Sequence, residues 1–261
     1  MPLLDVDPEA GFRVDVDQQH ATITLNRPDR LNCQSPAMWD ELIRVRKTLP
    51  GTVRVVVLRG EGRAFSAGLD RALFNPDSTG GVLELPRLPR EEATARIAQW
   101  QGAFDWSSRP DLVSIAAVQG HAIGGGFQLA LGADLRILAA DAQFTMAEPM
   151  LGIVPDLGGT KRLVDLVGYS RAADICLTGR RVPAEEALRI GLAARVVPND
   201  ELDGAVEETV SALLAIDRDA AAETKALLQR AGTRTQDEQQ AAEREAQYRR
   251  LRTLAGLEAE D

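Results

Sequence analysis

The sequence predicts an α/β fold followed by a helical C-terminal section. Nearly continuous apolar runs such as VRVVVLRG (53–60) are typical of strands buried on both faces. These runs alternate with segments whose apolar residues recur at helical spacing, which indicates a core of sheets and helices. From Asp200 onward the pattern is wholly helical and heavily charged. We therefore divide the chain into a core, 1–198, and a C-terminal helical region, 199–261.

The clearest helix in the first part of the core is SPAMWDELIRVRKTL (35–49). Ser35 suits the N-cap, Pro36 suits the first helical position, and apolar residues recur at helical spacing through Leu49. The neighbouring elements follow from alternation, apolar runs, and Pro and Gly content. They are strands over 21–26 and 53–60, a long loop over 74–90 and a helix over 91–106.

The second part of the core begins with the strand LVSIAAVQG (112–120). GGGFQLALGADL (124–135) follows, with glycines at the start of a short helix. The next elements are a strand over 136–141, a helix capped by Ser170 and ending near Gly179, the segment PAEEALRIG (183–191) and a short strand over 194–197. We find no period of 20–50 residues that would indicate a repeat protein.

Composition excludes several classes of protein. A net charge of −9 over 261 residues argues against a general nucleic-acid surface, which needs a basic stripe, although local cations could still hold phosphates. Two cysteines, Cys33 and Cys176, and two histidines do not form the spacing of a metal site. There is no basic segment followed by an apolar core at the N-terminus, and no apolar run nears the ~18 residues that span a membrane. We expect a cytoplasmic protein with no nucleic-acid, membrane or metal partner.

Two glycine-containing turns are candidates for ligand contact. GHAIGGGF lacks the spacing of a dinucleotide site, and GIVPDLGGTK lacks the Lys-Ser or Lys-Thr of a P-loop. Gly124, Gly125 and Gly126 could expose backbone N–H groups at a helix start, where they would suit an oxyanion. They could equally serve tight helix–strand packing. FSAGLD (65–70) provides a second turn after a buried strand, and donors from both turns facing one pocket would form an oxyanion hole.

Two carboxylates lie close together in EPMLGIVPDLGGTKRL (148–163). Asp156 follows Pro155, a position typical of a turn or a helix cap. Glu148 is compatible with an ordinary surface position. Spacing alone therefore favours a structural explanation for both, and leaves a catalytic one open.

Four motifs resemble those of the enoyl-CoA hydratase/isomerase (crotonase) family. They occur in that family's order and spacing, and the resemblance extends from about residue 12 into the helical C-terminus. The motifs are ITLNRPDRLNCQS (23–35), VVVLRGEGRAFSAGLD (55–70), AAVQGHAIGGGFQLALGADLRILAADAQFTMAE (116–148) and LGIVPDLGGTKRL (151–163). The resemblance implies a core of β-β-α turns wound as a superhelix, with C-terminal helices that build a homotrimer or a hexamer.

The resemblance also implies a ligand and the groups that contact it. The ligand is an acyl-CoA thioester whose oxygen accepts hydrogen bonds from the backbone N–H groups of Leu69 and Gly125. Coenzyme A enters as part of this substrate, and no separate cofactor is expected. Other positions assigned by the resemblance are the pocket residues Ala67, Gly68, Gly124 and Gln128, and Arg30 and Arg27 near the CoA phosphates.

The carboxylates decide which reaction the resemblance favours. Family hydratases use two glutamates; the second matches Glu148, but the first falls on Gln128, which cannot act as a general acid or base. Asp156 matches the position where several family isomerases carry a catalytic carboxylate. We therefore predict Glu148 and Asp156 as catalytic residues and prefer double-bond isomerisation. Hydration of a trans-2-enoyl-CoA, and a non-catalytic acyl-CoA-binding homologue, remain the alternatives.

Overall fold

The computed structural model describes residues 5–75 and 81–257, so residues 76–80 of the predicted loop lie outside it. The strands in chain order are β1 (Phe12–Asp17), β2 (His20–Leu25), β3 (Val55–Gly60), β4 (Val113–Val118), β5 (His121–Ile123), β6 (Leu135–Ala139), β7 (Gln143–Thr145), β8 (Val182–Pro183) and β9 (Arg195–Val197). The α-helices are α1 (Pro36–Thr48), α2 (Arg90–Gln101), α3 (Gly125–Leu131), α4 (Gly159–Val167), α5 (Tyr169–Thr178), α6 (Ala184–Arg189), α7 (Leu202–Ala215), α8 (Arg218–Ala231) and α9 (Gln236–Leu254).

Two sheets of different size carry these strands. Within the described part of the chain, the larger sheet has the order β1-β2-β3-β4-β6-β9, antiparallel between β1 and β2 and parallel elsewhere. The smaller sheet has the order β5-β7-β8. The chain runs β4, β5, α3 and then β6, β7, α4, so each of these two turns gives one strand to each sheet and adds one helix. This is the β-β-α superhelix that the family resemblance implies.

The central strand β3 explains why its sequence is so strongly apolar. Val56 and Leu58 face the larger core, while Val55 and Val57 face the opposite side of the sheet. That second side is covered by α7, which contributes Val206 among other apolar residues. A strand covered on both faces needs no polar alternation. The C-terminal region thus begins with a helix packed on the core sheet, and the division at residue 198 stays a prediction.

Most of the predicted elements are confirmed. Helix α1 begins as expected, because the Ser35 side chain accepts a hydrogen bond from the Met38 N–H and Pro36 occupies the first turn. The strands predicted over 21–26, 53–60, 112–120, 136–141 and 194–197 correspond to β2, β3, β4, β6 and β9. After residue 200 the chain is helical, and Thr235 and Glu238 form a capping box at the start of α9.

Some boundaries differ from the prediction. Gly168, in a positive-φ conformation, ends α4 and begins α5, so Ser170 already lies inside the helix and is not its cap. The helix predicted over 91–106 ends at Gln101 and continues as short 3-10 turns. The predicted loop contains a 3-10 segment, Val82–Arg87. Strands β1, β5, β7 and β8 and helix α4 were not anticipated.

A charge pair between the buried Lys225 and the half-buried Asp134 ties the C-terminal helices to the sheet. The Lys225 ammonium of α8 donates hydrogen bonds to Asp134 Oδ2 (2.8 Å) and to the Leu112 carbonyl (2.6 Å). The same carboxylate oxygen accepts hydrogen bonds from the Ser114 backbone N–H and hydroxyl, both at 2.7 Å. Burial lowers the pKa of Lys225, and the neighbouring Asp134 opposes that shift.

We expect Asp134→Ala to lower the free energy of unfolding by about 3–5 kcal/mol, because Lys225 would remain buried without its counter-charge. Lys225→Met should cost less, since Asp134 keeps both hydrogen bonds from Ser114. Urea unfolding of the two variants and the parent at pH 7 measures the difference. A loss below about 1 kcal/mol for Asp134→Ala, as for a surface ion pair, would show that this pair does not anchor α8.

Among the described residues, no helix is both long enough and apolar enough to cross a membrane.

Candidate active site

The two glycine-containing turns meet at one place. Ser66, in the turn after β3, pairs with Ala122 of β5 through a parallel bridge. The Ser66 N–H donates to the His121 carbonyl (3.0 Å), and the Ile123 N–H donates to the Ser66 carbonyl (2.9 Å). Because β5 leads directly into α3, this bridge fixes the turn beside the start of that helix.

Glycine is needed where the turns touch. A Cβ on Gly68, whose φ is +77°, would lie 2.3 Å from the Ile123 carbonyl oxygen and 3.1 Å from the Gly125 nitrogen. A Cβ on Gly126 would lie 2.4 Å from the Ser66 carbonyl oxygen. Neither contact is compatible with a side chain. The glycines therefore serve close packing, and that packing is what brings the two backbone segments together.

The backbone N–H groups of Leu69 and Gly125 are both available for a ligand. Neither donates a hydrogen bond to another residue within 5–75 or 81–257. Leu69 lies in a parallel bridge opposite Gln34, whose N–H donates to the Gly68 carbonyl (2.8 Å) and whose carbonyl accepts from the Asp70 N–H (2.9 Å). This pattern directs the Leu69 N–H away from Gln34. Gly125 is the first residue of α3, where an N–H has no partner inside the helix.

Gln128 connects Glu148 to the segment that follows Asp156. Its side chain is 1% exposed, and its Nε2 donates to Glu148 Oε1 at 2.7 Å. Its Oε1 accepts hydrogen bonds from the backbone N–H groups of Leu157 (3.0 Å) and Gly159 (3.2 Å). One amide therefore orients Glu148 and also holds the segment that follows Asp156.

Glu148 is a buried carboxylate, and only one of its two oxygens is engaged in a side-chain hydrogen bond. Its Oε2 is buried and has no hydrogen-bond partner among the described residues. Burial raises the pKa of Glu148 above the usual range of a glutamate, the hydrogen bond from Gln128 opposes this, and the charge of Asp156 raises it further. A Cβ on Gly124 would lie 3.2 Å from Glu148 Oε1, so Gly124 places open backbone directly beside the carboxylate.

Asp156 is less constrained than Glu148. It is half-buried, and burial raises the pKa of its carboxyl group. Its backbone carbonyl accepts a hydrogen bond from Gln101 Nε2 (2.7 Å), which fixes the backbone at this point. Its carboxylate accepts no hydrogen bond from any other residue in the described ranges. The site thus combines one carboxylate held by the Gln128 amide and one that accepts no hydrogen bond from another residue of the described ranges.

The remaining predicted residues lie around these groups with less definite contacts. Ala67 is half-buried between Ser66 and Gly68, and its N–H donates to the Leu31 carbonyl (2.8 Å). The Arg30 guanidinium is exposed and pairs with Asp70 at 2.6 Å. The Arg27 guanidinium donates instead to the backbone carbonyl of Glu9. The structure therefore brings Arg30 next to the Leu69 segment and directs Arg27 toward the N-terminal segment.

Three buried or half-buried residues near the site were not singled out from the sequence. Gln34 and Ser66 are fully buried beside the two amides, although both occur within quoted motifs. Cys176 of α5 lies close enough to Glu148 for that charge to raise the pKa of its thiol, in addition to burial. No local pattern marks these positions, because their burial depends on contacts distant in the chain. Within the described residues, no three His, Cys, Asp or Glu side chains are grouped to bind a metal ion.

The superhelix agrees with comparisons to known proteins. A family model described as enoyl-CoA hydratase/isomerase matches residues 16–256. The chain belongs to this family.

Similar proteins carry names from the same family. "Probable enoyl-CoA hydratase echA8" of Mycobacterium tuberculosis (strain CDC 1551 / Oshkosh) is 34% identical over 221 residues, which cover 84% of this chain and 80% of that protein. A "putative enoyl-CoA hydratase" of Thermobifida fusca YX, in crystals with CoA, is 48% identical with a TM-score of 0.89, covering 95% of both chains. The same protein in complex with acetoacetyl-CoA also has a TM-score of 0.89 and 48% identity, over 93% of this chain and 95% of the other.

Proposed function

We propose that the protein binds an acyl-CoA thioester and moves its double bond, converting a trans-3-enoyl thioester to the conjugated 2-enoyl form. The thioester oxygen would accept hydrogen bonds from the Leu69 and Gly125 N–H groups. Removing a proton beside a thioester puts negative charge on that oxygen, and one such donor is typically worth about 2.7–4 kcal/mol. The CoA and acetoacetyl-CoA complexes of the Thermobifida fusca protein support this ligand class. Ala67, Gly68 and Gly124 would line the adjacent pocket.

The proton transfer uses the two carboxylates. Asp156 removes a proton from C2, and the electron pair of that C–H bond becomes the enolate. The enolate then collapses: a C2=C3 double bond forms, the C3=C4 bond takes up a proton at C4, and the base is restored. Asp156 can return the proton itself or share this step with Glu148. The raised pKa of both groups favours the exchange, because a desolvated carboxylate is a stronger base.

The observation that carries isomerisation is the position of Gln128. Where family hydratases resemble one another in having a glutamate, this chain has an amide with its donor and acceptor already engaged. An amide moves no proton at neutral pH. Isomerisation needs no activated water, and Asp156 supplies a second carboxylate, whose charge acts on Glu148.

Hydration of a trans-2-enoyl-CoA is the second candidate. The names of the similar proteins favour it, and Glu148 has the position of a hydratase glutamate. In this reaction Glu148 would move the proton while Gln128 held the water. A binding protein without turnover is the third possibility, and the presence of both carboxylates speaks against it.

Two further proposals concern CoA and assembly. Arg30 would contact CoA phosphates by exchanging its pairing with Asp70, and Arg27 would do so only by leaving the Glu9 carbonyl. Coenzyme A would enter as part of the substrate, and the reaction would need no separate cofactor. Exposed apolar residues suit a homotrimer or hexamer; they lie in the 3-10 turn Glu148–Leu151, just after it, and on α9, and are Met150, Leu151, Val154, Leu251 and Leu254.

The experiment is to incubate the purified protein separately with a trans-3-enoyl-CoA and with the trans-2 isomer. Products are separated by chromatography and identified by mass and by the absorbance of the conjugated thioester. Isomerisation predicts a conjugated product of unchanged mass from the first compound. A gain of water by the second compound alone would establish hydration. No reaction with either, together with measurable binding, would support the non-catalytic alternative.

A further inference from the structure

Gln34 occupies an unusual position between the two amides proposed to bind the thioester oxygen. Its side chain is 0% exposed. Its backbone pairs with Gly68 and Asp70 on either side of Leu69, through hydrogen bonds of 2.8 and 2.9 Å. Its side chain points to the other donor, because a Cβ on Gly125 would lie only 2.9 Å from Gln34 Oε1. A single residue therefore contacts both backbone segments.

The orientation of the Gln34 amide is fixed by its neighbours. The Trp39 indole Nε1–H donates to Gln34 Oε1 at 3.0 Å. Because an indole N–H only donates, the atom facing it is the amide oxygen, and Nε2 faces the other way. That nitrogen donates to the Ser66 hydroxyl oxygen at 3.1 Å. Both ends of the amide are thus engaged in a region closed to water.

Ser66 completes the connection between the two turns. Its hydroxyl donates to the Asn32 carbonyl (2.8 Å) and accepts from the Gly68 N–H (3.2 Å) as well as from Gln34. Its backbone is bonded to the strand that leads into Gly125. Trp39, Gln34 and Ser66 therefore form one chain of hydrogen bonds that begins in α1 and ends at the peptide next to Leu69.

We propose that Gln34 is a positioning residue that fixes the Leu69 and Gly125 N–H groups relative to one another, acting with Ser66. This inference rests on the proposed binding of a thioester oxygen between those groups. A buried network with every member satisfied restricts motion, and removing one member leaves the others without partners. Displacement of a reacting group by 1 Å can cost about 10²-fold in rate. Gln34 touches neither substrate nor reacting atoms in this arrangement.

The test compares Gln34→Met and Ser66→Ala with Ser114→Ala. Gln34→Met keeps the side-chain length and removes both hydrogen bonds. Ser66→Ala is the milder change and remains informative if Gln34→Met folds poorly. Ser114 is the matched control, because it is also 0% exposed and its hydroxyl also donates and accepts, but its partner is Asp134.

The readout is the stretching frequency of a ¹³C-labelled thioester carbonyl in bound acetoacetyl-CoA, from infrared difference spectra of each holo complex. We expect the wild-type protein and Ser114→Ala to lower this frequency equally. In Gln34→Met and Ser66→Ala the carbonyl frequency should return toward that of the free ligand. The Kd for acetoacetyl-CoA should be nearly unchanged, and kcat for the proposed isomerisation should fall about 10- to 100-fold. Wild-type frequencies in both variants would overturn the role of Gln34. If the carbonyl frequency of acetoacetyl-CoA bound to the wild-type protein did not differ from that of the free ligand, the proposed thioester site would be overturned as well.

Discussion

Asp156→Asn is expected to lower kcat/KM for isomerisation of a trans-3-enoyl-CoA by about 10²–10⁴-fold, the usual contribution of a general acid or base. The substitution keeps the size of the side chain and removes its ability to take a proton. The backbone contact with Gln101 does not involve the side chain and should survive. Steady-state kinetics at pH 7 measure the loss, and a parallel Kd for the product establishes that the ligand still binds.

Glu148→Gln is the companion variant, and we expect it to lower activity while raising stability. It should also lose activity, but it should unfold at a higher denaturant concentration than the parent at pH 7. The pKa of Glu148 is raised on folding, so between the unfolded and folded pKa values the native state binds the extra proton. Stability from this group therefore falls as pH rises through that window, and a neutral side chain avoids the loss. The amide oxygen that replaces the carboxylate can still accept from Gln128.

The pH dependence of activity follows from the same shifts. The base must be ionised to remove the C2 proton, so kcat/KM falls as pH decreases. Since burial raises the pKa of both Asp156 and Glu148, the midpoint should lie above the ordinary carboxyl value of about 4. If Asp156→Asn and the parent had the same activity at every pH, Asp156 would have no part in the proton transfer.

Gln128→Glu is expected to destabilise the protein by about 3 kcal/mol at pH 7, a large effect for one atom exchanged. The new carboxyl group could still accept from Leu157 and Gly159, but in its ionised form it could no longer donate to Glu148 Oε1, 2.7 Å away from the present amide nitrogen. Two buried carboxylates at this distance cannot both be ionised, so the folded protein must retain a proton that the unfolded chain releases. The loss should therefore shrink as pH falls toward about 5, nearer the ordinary carboxyl range.

Gln119→Glu is the matched control for this prediction. Gln119 Nε2 also donates to backbone carbonyls, those of Gly60 (2.7 Å) and Gly62 (3.0 Å), but no carboxylate in the described ranges accepts from it. Denaturant unfolding at several pH values compares the two variants. An equal, pH-independent loss of unfolding free energy in both variants would mean that Gln128 acts only as a hydrogen-bond donor. Hydration of a trans-2-enoyl-CoA by Gln128→Glu alone would show that the amide is what excludes this reaction.

The sequence predicts the elements whose signals are local. Ser35 and Pro36 mark the start of α1 by their own capping chemistry, and β3 is recognisable because its apolar run is nearly continuous. Strands β5, β7 and β8 are two or three residues long, too short for alternation to show. Helix α4 begins at Gly159 after another glycine, which is a loop signal on local grounds.

The site shows the same division. Glu148, Asp156 and the two turns could be named from motifs, but their mutual contacts depend on how distant segments pack. The link that Gln128 forms between Glu148 and Leu157, and the burial of Gln34, leave no mark in nearby residues. The direction of a long side chain is equally hidden: Arg27 and Arg30 lie in one loop, yet one contacts the N-terminal segment and the other contacts Asp70.

The most direct test of the carboxylate mechanism follows the C2 hydrogens of a trans-3-enoyl-CoA that carries two deuterium atoms at C2. The labelled thioester is converted in ordinary water, and the product is analysed by mass spectrometry and NMR. Proton transfer through Asp156 and Glu148 predicts a slower reaction than with the unlabelled compound. It also predicts a conjugated product that has gained no water and keeps one deuterium at C2, while the deuteron that the carboxylate removed is delivered to C4 or exchanged with the solvent. Unreacted thioester that keeps both deuterium atoms at C2, or a hydrated product, would contradict it.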